Sequence, residues 1–185
     1  MQKEQLNRSV VRLVIAAPQV AAKAQPGQFV ILRVDENGER IPLTIADYDR
    51  SAGTVTVIVQ AVGATTLALS RKDVGDTISD FVGPLGRATE TDGLKRVAVI
   101  AGGVGAAIAL PVAKKLYEQG AQVHVVCGFR SREMVILQDE FSAVSHRLIT
   151  VTDDGSFGER GLVTDALRQL IDGGETYDEV IAIGP

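Results

Sequence analysis

The chain has 185 residues, 45% of them hydrophobic and 23% charged, with a net charge of −4. That length builds one large or two small domains with a real core, and the profile is that of a soluble protein. The negative charge argues against a polyanion-binding surface and so against nucleic acid. A single cysteine, Cys127, excludes an intrachain disulfide and an iron–sulfur cluster ligated by this sequence alone. With 4% aromatics and no tryptophan, an aromatic platform for sugars or bases is not expected either. No signal-peptide pattern opens the chain and no apolar run reaches about 18 residues, so a cytoplasmic location is expected.

In chain order, residues 1–93 read as mostly β. Val10 to Ile15 is a strand with Val11, Leu13 and Ile15 on one face. Pro18 and an alanine-rich bend lead to a Pro26-Gly27 turn, the strand Gln28 to Val34, and a hairpin-type turn at Asp35-Glu-Asn-Gly38. Ile41 to Ala46 is the next strand, where Pro42 suggests an edge or a bulge. Thr54 to Ala61 is the clearest strand; Gly63 to Ser70 reads as one or two helical turns, Thr77 to Phe81 as a strand and Gly83-Pro-Leu-Gly86 as a loop. Short strands at this spacing with one short helix predict an antiparallel β-barrel.

A polar turn at Thr91-Asp-Gly93 separates this half from residues 94–185, where strands alternate with helical patterns. The expected order is strand Val97–Ala101, helix to Gln119, strand Gln122–Cys127, helix Ser131–Ser142, strand Arg147–Val151, helix Leu162–Ile171 and strand Val180–Ile183. That is an α/β parallel-sheet nucleotide-binding layout. Val180–Ile183 reads as a central buried strand with Gly184-Pro185 opening a loop, so the domain is expected to stop short of the helix that covers that strand.

Within this half, the apolar strand Val97–Ala101 runs into Gly102, Gly103 and Gly105 and then into a helix. Glycines there let backbone approach a pyrophosphate, and the helix start offers N–H groups and a positive dipole end. The pattern G-G-x-G departs from G-x-G-x-x-G, since Ile108 stands where the last glycine falls. Pro111 belongs in a first helical turn, which places the helix start near Ala107 or Ile108. A glycine turn joining strand to helix with no ligand fits the same residues.

The second informative stretch is Arg40-Ile-Pro-Leu-Thr44. On a strand, Arg40 and Thr44 share one face, where a guanidinium can bind a phosphate bidentately and a hydroxyl can bond a flavin ring or phosphate oxygen. A solvated edge-strand arginine fits as well. Asp153-Asp154-Gly155 reads as a turn rather than a metal site, because its carboxylates diverge and no third ligand is near. Ser156, His124 and His146 make no nucleophile elbow or triad; His124 is expected to be structural, His146 on the surface and Cys127 in the core. No residue is assigned a catalytic role and none a metal.

Taken in one order, Arg40-Ile-Pro-Leu-Thr44, Val59-Gln60-Ala61 with Thr65-Thr66, Gly83-Pro-Leu-Gly86, Ala101-Gly-Gly-Val-Gly105, Thr152-Asp-Asp-Gly-Ser156 and Ile183-Gly-Pro185 resemble the ferredoxin–NADP reductase superfamily. The closer resemblance is to its sulfide dehydrogenase and dihydroorotate dehydrogenase electron-transfer branch, which includes the small subunit of NADH-dependent reduced ferredoxin:NADP oxidoreductase. It extends over essentially the whole chain.

The resemblance implies that the first half binds FAD. Arg40 would hold the pyrophosphate, Pro42, Leu43 and Thr44 would lie along the isoalloxazine, Val59, Gln60 and Ala61 would offer backbone groups to it, and Thr65 and Thr66 would cap a short helix at its phosphates. Gly102, Gly103, Val104 and Gly105 would take NAD(H) or NADP(H), with Gly128, Arg130, Ser131 and Arg132 near the adenosine ribose and Asp153, Asp154 and Gly155 on a neighbouring loop. Arg130 and Arg132 could serve a 2′-phosphate or be solvated surface charge; the branch includes NADH users, which sets NAD ahead of NADP. The family's four-cysteine [2Fe–2S] segment has no counterpart within this sequence.

The implied function is a flavoprotein electron-transfer subunit that passes electrons between NAD(P)H and a larger catalytic or iron–sulfur subunit via FAD. Stacking of rings and exclusion of water, rather than acid–base catalysis, would then be the protein's work. The alternatives are a stand-alone NAD(P)H:acceptor reductase and a dinucleotide-binding redox-sensing subunit that turns nothing over. A glycine-loop methyltransferase is disfavoured by the barrel-like first half.

Overall fold

Residues 2–184 are described by a computed structural model; Pro185, the last residue of the Ile183–Pro185 stretch, lies outside the described residues. The chain folds as two units, residues 1–89 and 90–185.

In the first unit, period-two alternation is turned into an antiparallel sheet. Its strands are β1 (Gln2–Gln5), β2 (Val10–Ala16), β3 (Phe29–Arg33), β4 (Arg40–Asp49), β5 (Thr54–Gln60) and β6 (Asp80–Leu85), in the order β1-β2-β5-β4-β3-β6. Val11, Leu13 and Ile15 are buried with Val30, Leu32, Val55, Val57 and Val59 in one core, as alternation on a half-buried strand requires. Two short helices accompany the strands, α1 (Pro18–Ala21) and α2 (Ala64–Ser70).

The long strand β4 belongs to two ladders. Arg40–Thr44 pair with β3, whereas β5 is joined only from Ile45 onward, with a register shift between Ile45 and Asp47. Such a shift bends a strand and raises its twist. It curls the sheet toward a barrel, but no β1–β6 pairing among the described residues closes it, so the expected barrel is an open, barrel-like sheet. Pro42 therefore sits where its missing N–H costs least, on a stretch with one strand neighbour.

Other expectations are corrected. The polar strand β1 carries no apolar pattern that could have announced it, and the alanine-rich bend closes into α1. Thr77 and Ile78 are not strand, and Gly83–Leu85 are not loop. Pairing with β3 moves the sixth strand to Asp80–Leu85, with a register irregularity between Phe29 and Ile31.

The second unit is a parallel sheet of β7 (Arg96–Gly102), β8 (Gln122–Phe129), β9 (Arg147–Thr152), β10 (Glu159–Arg160) and β11 (Glu179–Ile183), ordered β10-β9-β8-β7-β11. Its helices are α3 (Ala106–Glu118), α4 (Gln138–Ala143) and α5 (Val163–Asp172). Ala98, Ile100, Val126 and Val151 pack with Ala166 and Leu170 of α5. The alternate residues Val97, Val99, Val123 and Val125 are buried too, so β7 and β8 are covered on both faces, which is why they read as unbroken apolar runs.

Here also some boundaries differ. The helix after the glycines begins at Ala106, earlier than Pro111 suggested, and is preceded by a 3₁₀ turn at Gly103–Gly105. Ser131–Ser142 is not one helix. A 3₁₀ turn at Arg132–Met134 is followed by extended Val135 and by Leu137 at φ 61°, and only then by α4. Burial of Ile136 and Leu137 overrides the local helical pattern. The two-residue strand β10 was not anticipated. Val180–Ile183, expected at the centre of the sheet, pairs with β7 and has no second strand neighbour among the described residues, with Val180 41% exposed.

Ile45 lies at the point where β4 changes partners and is fully buried. Ile45→Ala should cost about 2–5 kcal/mol and Ile45→Val about 0.5–1.5 kcal/mol, read from urea unfolding. A smaller loss for the alanine variant would mean that this corner of the core can collapse around the gap.

Candidate functional site

In the first unit, Arg40–Thr44 lie on the part of β4 that has β3 as its one strand neighbour. Arg40 and Pro42 are exposed, and Ile41, Leu43 and Thr44 half-buried. Arg40 Nη2 donates to Asp80 Oδ2 at 2.7 Å, and its side chain remains 59% exposed. Val59 is buried in the core, so only its backbone can face a ligand, whereas Gln60 and Ala61 are half-buried at the end of β5. Thr66 shapes the start of α2. Its Oγ1 accepts from the amides of Val62 and Gly63 at 3.1 and 3.0 Å and donates to the Gly63 carbonyl at 3.0 Å. Thr65 Oγ1 donates to Glu39 Oε2 at 3.5 Å, which ties the start of α2 to the residue before Arg40.

In the second unit three loops leave the carboxyl ends of the adjacent parallel strands β7, β8 and β9, the edge where open α/β sheets bind ligands. The first is Gly102–Gly105. Gly103 has φ +52°, and a Cβ built on it meets nothing within 4 Å, so that position is open. Gly105 differs: a Cβ there would stand 2.7 Å from the Ile183 carbonyl oxygen and 3.0 Å from Gly184 Cα. The neighbouring strand end by itself requires a glycine there. Val104, between them, is 38% exposed.

The second and third loops are knitted together. The amides of Asp153 and Asp154 donate to the carbonyls of Phe129 and Arg130 at 3.1 and 3.3 Å. Ser156 Oγ accepts from the Arg132 amide at 2.7 Å and donates to Asp154 Oδ1 at 2.6 Å. The Arg132 guanidinium lies 5.6 Å from the centre of the Phe157 ring. The Ser156 hydroxyl and amide hold the exposed Asp154 carboxyl below its ordinary value, so Asp154 is the acceptor of a turn. Arg130, Asp153 and Gly155 are exposed and Ser131 half-buried on this edge. A Cβ on Gly128 would clash with the Val163 side chain of α5, so packing also requires a glycine there.

Spatial reasoning thus adds residues that sequence spacing did not. Asp80 and Arg33 come from β6 and β3 and join Arg40 only after the sheet forms. Ser156 bolts two loops together. No spacing along the chain marks Asp80 or Arg33 as a partner of Arg40, or Ser156 as a partner of Arg132.

The other titratable groups belong to the scaffold. His124 is buried in β8, its Nδ1 2.9 Å from the Tyr177 hydroxyl with which it shares a hydrogen bond. His146 is exposed, and its Nδ1 accepts from the Val123 amide at 3.1 Å. Burial pushes the Cys127 thiol up to about 12, which leaves it an inert core group. Among the described residues no cluster of three or more His, Cys, Asp or Glu could hold a metal ion.

No protein-family model matches the chain. It is 43% identical over its whole length to a dihydroorotate dehydrogenase B (NAD(+)) electron transfer subunit homolog of Thermotoga maritima, 65% of which it spans. Over 94% of its length it is 34% identical to the dihydroorotate dehydrogenase B (NAD(+)) electron transfer subunit of Geobacillus thermodenitrificans, spanning 68% of that protein. A solved NADH-dependent reduced ferredoxin-NADP oxidoreductase structure, described for flavin-based electron bifurcation, superposes on all of this chain. The TM-score is 0.91 and the identity 42%, and 66% of that chain is covered. The Thermotoga protein and this solved chain are thus each matched over slightly less than two thirds of their length.

Two outcomes follow from this geometry. Gly105→Ala should destabilise the second unit more than Gly103→Ala, whose left-handed backbone costs an alanine about 1–2 kcal/mol; denaturant midpoints of the two variants give the comparison. Burial lowers the His124 pKa from its ordinary 6.5. The contribution of neutral His124 is therefore complete above about pH 6.5 and is lost as pH falls from there toward the depressed folded value. Melting temperature should drop over that acid range, and His124→Gln should flatten the drop.

Proposed function

We propose, because the chain belongs to the family of dihydroorotate dehydrogenase B electron-transfer subunits, that it is a flavoprotein electron-transfer subunit. In this reading it passes electrons between NAD(P)H and a larger iron–sulfur partner through FAD, in the cytoplasm. The observation that carries the reading is the alignment of three site loops on one sheet edge, with an open glycine turn at the first.

The residues present fit both cofactors. Arg40 keeps more than half of its side chain exposed beside a strand segment with one neighbour, and Gly103 leaves open space at its backbone. FAD, when bound, interconverts a hydride and single electrons, which a nicotinamide cannot do. Arg40 then holds the diphosphate by charge-assisted hydrogen bonds. Pro42, Leu43 and Thr44 provide a surface for the ring, Val59, Gln60 and Ala61 offer backbone groups, and Thr65 and Thr66 fix the short helix near the phosphates. Gly102, Gly103, Val104 and Gly105 receive the dinucleotide. Gly128, Arg130, Ser131 and Arg132 with Asp153, Asp154 and Gly155 line its ribose side. NAD is favoured, since the names of the matched relatives carry NAD(+).

The purified chain, supplied with FAD, should show flavin absorbance that survives gel filtration, and it should reduce a dye with NADH. A colourless protein after FAD addition would sink the reading. Flavin and nucleotide binding without dye reduction would favour the redox-sensing alternative, and full turnover with a natural acceptor but no partner would favour the stand-alone reductase.

A further inference from the structure

Three charged side chains from three adjacent strands stand in one row across the sheet of the first unit. Arg40 of β4 is directly opposite Arg33 of β3, and Arg33 is directly opposite Asp80 of β6. Two arginines facing each other across a ladder repel. One oxygen reconciles them: Asp80 Oδ2 accepts from Arg40 Nη2 at 2.7 Å and lies 2.7 Å from Arg33 Nε.

The three partners are not equivalent. Arg33 is anchored a second time, its Nη1 donating to the Glu36 carbonyl at 2.9 Å. The side chains of Arg33 and Asp80 are 24% and 26% exposed, against 59% for Arg40. Arg33 and Asp80 thus form a half-buried base, and Arg40 is the outward member of the row. Arg40 and Asp80 are two strands apart, roughly 9–10 Å at the backbone, so the arginine reaches Asp80 only by lying across β3. A free arginine on this edge would sample many rotamers and lose that freedom on meeting an anion.

We propose that Asp80 is a positioning residue for Arg40. It grips the guanidinium through one nitrogen, sets the side chain along the sheet, and leaves the remaining donors for the diphosphate of FAD. The row of two arginines and one aspartate stays net positive, so an anion is still attracted. The inference rests on the reading of the first unit as the FAD site and adds a residue that sequence spacing does not connect to Arg40.

The test is titration of the full chain with FAD and, separately, with riboflavin, which has no phosphate, followed by flavin fluorescence. The variants are Arg40→Gln, Asp80→Asn, Asp80→Ser and the double variant Arg40→Gln/Asp80→Asn, each checked for an unchanged melting transition. Arg40→Gln should weaken FAD by about tenfold or more, the range of a charged hydrogen bond. Either Asp80 variant should weaken FAD by about three- to tenfold, leave riboflavin unchanged, and add little in the Arg40→Gln background. If Asp80→Asn binds FAD as tightly as the parent or more tightly, weakens riboflavin equally, or adds in full to Arg40→Gln, the proposal is overturned while the FAD site stands. If Arg40→Gln itself leaves FAD affinity unchanged, or the parent binds no FAD, the reading of the first unit fails and the proposal with it.

Discussion

At the carboxyl edge of the parallel sheet two backbone segments approach each other more closely than side chains allow. A Cβ on Gly105 would stand 2.7 Å from the Ile183 carbonyl oxygen, and one on Gly184 would stand 3.0 Å from both Cα and N of Gly102. The ends of β7 and β11 can therefore run side by side only if both turns are built of glycine. That contact fixes where the chain leaves β7, and so where the 3₁₀ turn gives way to α3 at Ala106. The buried face of α3 (Ala109, Val112, Ala113 and Leu116) then follows from helical periodicity alone. The exposed turn at Gly103 and Val104 is what remains free once the contact has been made.

The glycine-rich turn thus carries two separate demands that a pattern of letters merges. Gly105 and Gly184 answer to packing, Gly103 to a left-handed backbone with open space above it. Gly128 answers to a third demand, the approach of Val163 from α5. The glycines of these turns thus meet packing demands of their own, and the turn at Gly103 and Val104 stays exposed.

What was legible in the sequence tracks how local its physics is. The apolar runs of β7 and β8 and the alternation in β2 and β5 were readable because burial acts directly on consecutive side chains. β1, with the polar sequence QKEQ, is strand only because β2 offers it a ladder. The shift of the sixth strand to Asp80–Leu85 is imposed by β3, and the break in the helix expected over Ser131–Ser142 by burial of Ile136 and Leu137. The same limit holds at the candidate sites. Arg40 and the glycine turn stand out along the chain, but Asp80 is 40 positions from Arg40, and Ser156 is 24 from the Arg132 amide that it accepts from. Partners that meet only after strands pair leave no spacing to read.

The direction in which the fold moves its titratable groups bears on the kind of chemistry the chain can support. Amide and hydroxyl donors hold Asp154 and Asp178 below their ordinary values, burial lowers His124, and burial raises Cys127 and Tyr177. Each shift carries its group away from neutrality. A site built for proton transfer does the opposite and brings an acid or base toward the working pH. Asp178 shows the purpose of one such shift: its Oδ2 accepts from the amides of Lys95 and Arg96 at 2.7 and 2.9 Å, pinning the start of β7 beside β11. Asp154, Asp178 and the His124–Tyr177 pair are spent on holding strands and turns in register. The candidate sites are built instead from backbone turns, from a few exposed side chains, and from an arginine set in place by its neighbours. That is the construction expected where reactivity resides in bound cofactors and the polypeptide's task is to place them.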